Sequence, residues 1–179
     1  MHQQTTIANL LVSYSWGCFQ RAKSEILQVL MAFDDPSPHV YKSDVMGIAI
    51  VGTCLDSREV IRRCHALWMD QPLDSFAFAV KWVPVDHWCA TDLDTIKTLI
   101  DEEVASQIGE HQTWGMKVYK RRWQKYHTNE IVEYLATGID RKVDLGHPDR
   151  ILWIDVLGRE TAVSLLRSGE VFSLGLPHP

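Results

Sequence analysis

The sequence predicts a mixed α/β (α+β) chain in two parts. Two observations carry this. Short apolar runs rich in Val, Ile and aromatic residues alternate with segments whose apolar residues recur at helical spacing. Over residues 5–86 the order of these segments is β-α-β-β-α-β. That is the order of the ferredoxin-like motif, in which two helices cover one face of an antiparallel sheet. A second α+β set follows over residues 90–172.

Residues 7–14 are apolar and predict a strand. After Gly17, apolar residues at Phe19, Ala22, Ile26, Leu30 and Phe33 predict a helix, stopped by Asp34-Asp35-Pro36-Ser37-Pro38. Residues 39–42 predict a short strand and 45–53 a buried one. Asp56 caps the next helix, with Glu59 in the capping-box position. Its apolar face is Val60, Ile61, Cys64, Leu67 and Trp68, and Gln71-Pro72 ends it. Phe76, Phe78, Val80 and Trp82 alternate as a strand until Pro84.

In the second part a helix is expected from Thr91, with Asp94 completing Thr-x-x-Asp. Leu93, Ile96, Leu99, Ile100, Val104 and Ile108 form its buried stripe; Asp92, Asp101, Glu102 and Glu103 form its solvated face. Residues 113–122 predict a strand with Trp114, Met116 and Val118 on one side. Lys117, Tyr119 and Arg121 lie on the other. A helix from Thr128 buries Ile131, Val132, Leu135 and Ile139. A turn-rich connection, 140–149, leads to a central strand at 151–156 and another at 162–166. The tail from Gly175 reads as loose.

Composition narrows the function classes. Of 179 residues, 46% are hydrophobic and 23% charged, which fits a globular chain. Residues 45–55 are the longest apolar stretch free of charge, well short of the about 20 residues that span a bilayer. The start, Met1-His2-Gln3-Gln4-Thr5-Thr6, lacks the basic residues of a secretory signal. Four cysteines, Cys18, Cys54, Cys64 and Cys89, form no Cys-x-x-Cys pair. A cytoplasmic protein with reduced thiols is expected.

The net charge is −5. Residues 1–110 hold 8 Lys/Arg against 15 Asp/Glu, while residues 111–179 hold 10 against 8. Overall acidity argues against a protein that coats nucleic acid indiscriminately. Screening confines each charge to about 8–10 Å, so a local basic surface is still compatible with it.

Local signatures of catalysis are missing from the sequence. Gly47-Ile-Ala-Ile-Val-Gly52 has phosphate-loop glycine spacing, but Thr53-Cys54 follow where Lys and Ser/Thr are needed. There is no Gly-x-Gly-x-x-Gly, Gly-x-Ser-x-Gly or His-Glu-x-x-His pattern. Cys54, Cys64, His65, His87 and Cys89 are soft ligands without a short zinc pair, and read as core thiols beside surface histidines. No metal or cofactor site is expected, and the chain reads as a non-enzyme.

The constellation that stands out is Lys117-Val-Tyr-Lys120-Arg121-Arg122-Trp-Gln-Lys125, five cations and no acid. Long cationic side chains hold phosphates, and Arg adds a two-pronged fork. Unpaired bases stack on aromatic rings such as Tyr119 and Trp123. The other reading is an exposed strand whose lysines keep an edge soluble. A second group, Arg141 and Lys142, then His147 and Arg150, flanks the turn after the Thr128 helix. The two groups are expected to share one rim.

On these residues the second half resembles the THUMP domain, an RNA-binding module of tRNA-modifying enzymes. The matching pieces are Lys117-Val-Tyr-Lys-Arg-Arg-Trp123, Thr128-Asn-Glu-Ile-Val-Glu-Tyr-Leu135, and Val143-Asp-Leu-Gly-His-Pro-Asp149 followed by Ile151-Leu-Trp-Ile-Asp-Val156. The resemblance covers residues 90–170. In the family a ferredoxin-like domain often precedes THUMP, and this chain looks most like the stand-alone kind that assists tRNA cytidine acetylation. The resemblance implies binding of tRNA at its acceptor stem and 3′ end, with a separate acetyltransferase as partner. It implies Lys117, Lys120, Arg121, Arg122 and Lys142 as RNA contacts, with Lys125 and Arg150 beside them. Gly146-His147 stands where many members carry Lys-Asn, so that loop has one cation fewer. Three alternatives stay open: the recognition part of a methyltransferase or thiolation enzyme, an interaction scaffold docking through the acidic helix at 92–103, and a small enzyme with a dispersed site.

Overall fold

The computed structural model describes residues 8–72 and 74–175. The expectations for Ile7 and for the tail beyond Gly175 lie outside them. The described chain forms two compact units. One runs to Val85 and takes in the segment from Gly169 on; the other is Asp86–Ser168.

The first unit has strands β1 (Ala8–Tyr14), β2 (His39–Lys42), β3 (Ile48–Gly52) and β4 (Ala79–Pro84), with helices α1 (Phe19–Ala32) and α2 (Ser57–Asp70). Strand order is β2-β3-β1-β4 with antiparallel neighbours, as the ferredoxin-like motif requires. Leu10, Val12 and Tyr14 of β1 meet Ala22, Ile26 and Leu30 of α1 and Val60, Ile61 and Cys64 of α2 in one core. Asp56 caps α2 as expected, accepting from the Glu59 N–H at 2.8 Å.

Two strands differ from the sequence reading. β3 starts at Ile48 because Gly47, at φ +86°, turns the chain first. β4 starts at Ala79 because the N–H groups of Ala77, Phe78 and Ala79 donate to the Glu25 carboxylate instead of to a neighbouring strand. The second unit was expected to reach residue 172. Instead β9 (Phe172–Ser173) pairs with β4, setting Phe172 opposite Trp82. The Phe172 ring lies 4.7 Å from that of Phe76 and meets His65 edge-on at 5.2 Å.

The second unit holds β5 (His87–Ala90), β6 (Trp114–Arg121), β7 (Arg150–Leu157) and β8 (Glu160–Leu166), in the order β5-β8-β7-β6. β6 and β7 run parallel and the other pairs antiparallel. Helix α4 (Thr128–Ala136) lies in the crossover that a parallel pair needs. β5 escaped the sequence reading: His-Trp-Cys-Ala is short and does not alternate. Helix α3 (Leu93–Leu99) is capped by Asp92, which accepts from the Thr95 N–H at 3.0 Å. Thr91, the expected cap, bonds Thr161 instead.

Beyond α3 the helix widens into a π turn over Ile100–Val104, then tightens over Ala105–Gln107. Ile96, Ile100, Val104 and Ile108 are all buried. A four-residue repeat drifts about 40° per step on a helix of 3.6 residues per turn. One widened turn slows that drift and keeps the stripe on the core. No described helix is long and apolar enough to cross a membrane.

Candidate nucleic-acid interface

Alternation along β6 sorts its side chains between two faces. Trp114, Met116 and Val118 pack with Leu152, Ile154 and Val156 under the helices. Lys117, Tyr119 and Arg121 take the opposite face, as the sequence reading had it. There the parallel register sets Lys117 beside Trp153 and Tyr119 beside Asp155. The Tyr119 and Trp153 rings are 4.8 Å apart, and Lys117 Nζ lies 5.5 Å from the Trp153 ring.

The seven predicted cations do not form one rim. Arg121 Nη1 donates to Asp155 Oδ1 at 2.6 Å, and Asp155 is only 5% exposed. Trp153 Nε1 donates to the other oxygen of that carboxylate at 2.7 Å. Burial, reinforced by the Asp155 charge and opposed by Arg121, pushes the Tyr119 phenol up. Lys120 lies on the helix side, where its amine donates to the Tyr126 carbonyl. Arg122 is exposed at φ +58°, a left-handed turn as the strand ends. Lys125 Nζ sits 5.1 Å from the Tyr126 ring. Its pKa is raised, first by Tyr126 and then by the charges of Asp92 and Asp94. Arg150 is half-buried, and its Nη2 donates to the Leu165 carbonyl at 3.3 Å.

Lys142 is exposed at the opposite end of β6. Its carbonyl accepts from the Trp114 N–H at 3.0 Å, and the Asp144 N–H returns a bond to Trp114 O at 2.9 Å. Arg141, by contrast, turns back on the chain and donates to the Ile108 and Asp140 carbonyls. Lys117 and Lys142 therefore belong to the start of β6 and its neighbouring loop. Arg121, Arg122 and Lys125 belong to its far end.

The second unit carries 11 Lys/Arg and 14 Asp/Glu, a net −3, so only a polarised surface can serve an anion. Many of its acids sit on the helix side: Asp92, Asp94, Asp101, Glu102 and Glu103 on α3 and its continuation, Glu130 and Glu133 on α4. Lys97 is tied to Asp101, and Tyr134 donates to Asp94 at 2.5 Å. Exposed Lys117 and Lys142 lie away from these groups on the sequence.

Sequence reasoning missed two features here. One is Asp155 as the partner of Arg121. Its signal was a single acid in Ile151-Leu-Trp-Ile-Asp-Val156, since a buried carboxylate needs a partner. The other is a pocket of about 310 Å³ at the start of β6, lined by Lys117, Leu145, His147, Pro148 and Ile151 among others. Among the described residues no group of three or more His, Cys, Asp or Glu is placed to hold a metal.

No family model and no curated protein matches the chain. Solved structures do. PH1313 from Pyrococcus horikoshii Ot3 aligns at 15% identity and TM-score 0.62, covering 92% of this chain and 55% of that one. TrmN from Thermus thermophilus aligns at 13% identity and TM-score 0.54, over 88% of this chain and 45% of the other. A 4-thiouridine synthetase solved with RNA and bound ATP aligns at 13% identity and TM-score 0.51, over 93% and 42%. The fold is shared. It is the ferredoxin-like-plus-THUMP arrangement that the sequence predicted. The chain spans about half the length of these proteins.

Proposed function

We propose that the chain is a THUMP-domain protein that binds tRNA at the acceptor stem and 3′ end and presents it to a separate modifying enzyme, a cytidine acetyltransferase, without catalysing the reaction itself. The observation that supports this most is the shared fold with a synthetase captured on RNA, joined to exposed cations on the corresponding unit. Lys117, Lys142, Arg122 and Lys125 are the proposed phosphate contacts, all four exposed. Arg121, Lys120 and Arg150, held by Asp155, Tyr126 and Leu165, shape the surface between them. A phosphate contact made by a mobile lysine tolerates any sequence, so this surface grips a backbone and reads no bases.

Gel shift of the purified chain with total tRNA, against the same tRNA trimmed of its 3′ end, tests the binding mode. Trimming is expected to weaken binding, and equal affinity would remove the acceptor-end model. Cytidine acetylation by a candidate acetyltransferase, with and without the chain, tests the adaptor role. A second reading is the recognition subunit of a methyltransferase or thiolation enzyme. The fold shared with a 4-thiouridine synthetase favours it. Stimulation of thiolation in place of acetylation would select it.

A further inference from the structure

The pocket at the start of β6 is built by a rigid loop. Asp144 Oδ1 accepts from the N–H groups of Gly146 and His147, both at 2.9 Å, closing a tight turn. The paired N–H groups hold the Asp144 carboxyl below its usual range. The loop's far end is clasped by Asp149, which accepts from the Thr113 N–H at 2.8 Å and its hydroxyl at 3.0 Å. Gly115 lets the loop lie close on β6: a Cβ there would stand 3.1 Å from the Asp144 carbonyl. The cavity is thus formed before anything enters it.

Its lining pairs apolar side chains with cations. Met116, Leu145, Pro148 and Ile151 supply apolar surface, Lys117 and His147 supply polar tips, and none of the nine lining residues is acidic. Leu145 is 86% exposed although the turn that carries it is fixed. The volume, about 310 Å³, sits at the lower end of small-ligand pockets and suits one nucleotide unit.

We propose that this pocket takes one unpaired nucleotide of the bound RNA, its base against Leu145, Pro148 and Ile151 and its phosphate at Lys117 and His147. The inference rests on the RNA-binding reading above and adds a single-stranded subsite to it. Apolar walls accept the face of any base, so the pocket selects for an unpaired nucleotide and not for its identity. A paired base, locked in its stack, cannot enter.

The test uses two synthetic RNAs and the full chain. One is a blunt hairpin duplex; the other is the same duplex with a two-nucleotide single-stranded extension carrying 2-aminopurine. Wild-type protein is expected to bind the extended RNA roughly tenfold tighter, the size of one stacked base, with a change in 2-aminopurine fluorescence. Ser168→Trp, which fills the pocket from its exposed rim, and Leu145→Ala are expected to reduce that preference to twofold or less. Both should bind the blunt duplex as wild type does. Equal binding of the two RNAs by wild type, or an undiminished preference in both variants with the Trp variant folded by circular dichroism, overturns the pocket proposal alone. Absence of binding to either RNA overturns the RNA reading and the pocket with it.

Discussion

Arg121 and Asp155 form an ion pair across the parallel β6–β7 ladder, 2.6 Å from Nη1 to Oδ1, with the carboxylate almost wholly buried. Tyr119, not Arg121, is the register partner of Asp155, so the guanidinium reaches back diagonally past the Tyr119 ring at 5.9 Å. A residue singled out for phosphate is thereby engaged in holding the sheet. Asp155→Ala leaves Arg121 and Trp153 Nε1 without that acceptor, and should cost about 3 kcal/mol of unfolding free energy in urea titration. Arg121→Gln should also destabilise the chain while leaving the salt dependence of tRNA binding unchanged.

The thiols should divide by burial. Burial pushes Cys64 far up and Cys89 up to about 11. At pH 8 neither should react with a thiol reagent until the chain unfolds. Cys54 is exposed, but its Sγ donates to Asp35 Oδ1 at 3.3 Å, and that hydrogen bond raises its pKa. Asp35→Asn should therefore speed alkylation of Cys54 at pH 8, read by mass spectrometry.

Acid should weaken the fold below about pH 4, where unfolded carboxylates protonate. Burial alone would raise the pKa of Asp35, but bonds from the Thr53 hydroxyl, the Ser37 N–H and Cys54 outweigh it and hold it low. Asp92 is lowered by Thr95, and Asp144 by His147 and Gly146. A depressed folded pKa contributes stability above the unfolded value and loses it as pH falls through the folded one. Urea midpoints measured from pH 6 to pH 3 should fall in the lower half of that range. Asp35→Asn should flatten the fall.

Gly115→Ala places a Cβ 3.1 Å from the Asp144 carbonyl and 3.4 Å from Pro148 Cγ. The crowding should cost about 1–2 kcal/mol in thermal unfolding, as overpacking does. Because the 144–148 loop must lift, the same change should weaken any ligand of the pocket beneath it.

Much of the fold was legible because burial writes a period into the chain. Leu10, Val12 and Tyr14 alternate, and Ile26 and Leu30 recur by four, so β1 and α1 could be read directly. β5 and β9 could not, since two to four residues carry no period and their pairing comes from distant strands. The cations of the site were legible as a run, but not their direction. Successive residues of a strand face opposite ways, so the run 117–125 divides between two faces and two ends of β6. The partners that decide their roles, Asp155 for Arg121 and Asp92 for Lys125, lie more than 30 residues away. The pocket was visible only as the Gly146-His147 departure.

The salt dependence of tRNA binding tests the central claim most directly. Four contacts by Lys117, Arg122, Lys142 and Lys125, at about −0.7 per single-stranded phosphate, give a slope of log affinity against log salt near −3. Lys117→Glu with Lys142→Glu should flatten it to about −1.4, the share of the two contacts left. A wild-type slope near zero, or one that the double substitution leaves unchanged, would contradict a phosphate-gripping surface on this side of the sheet.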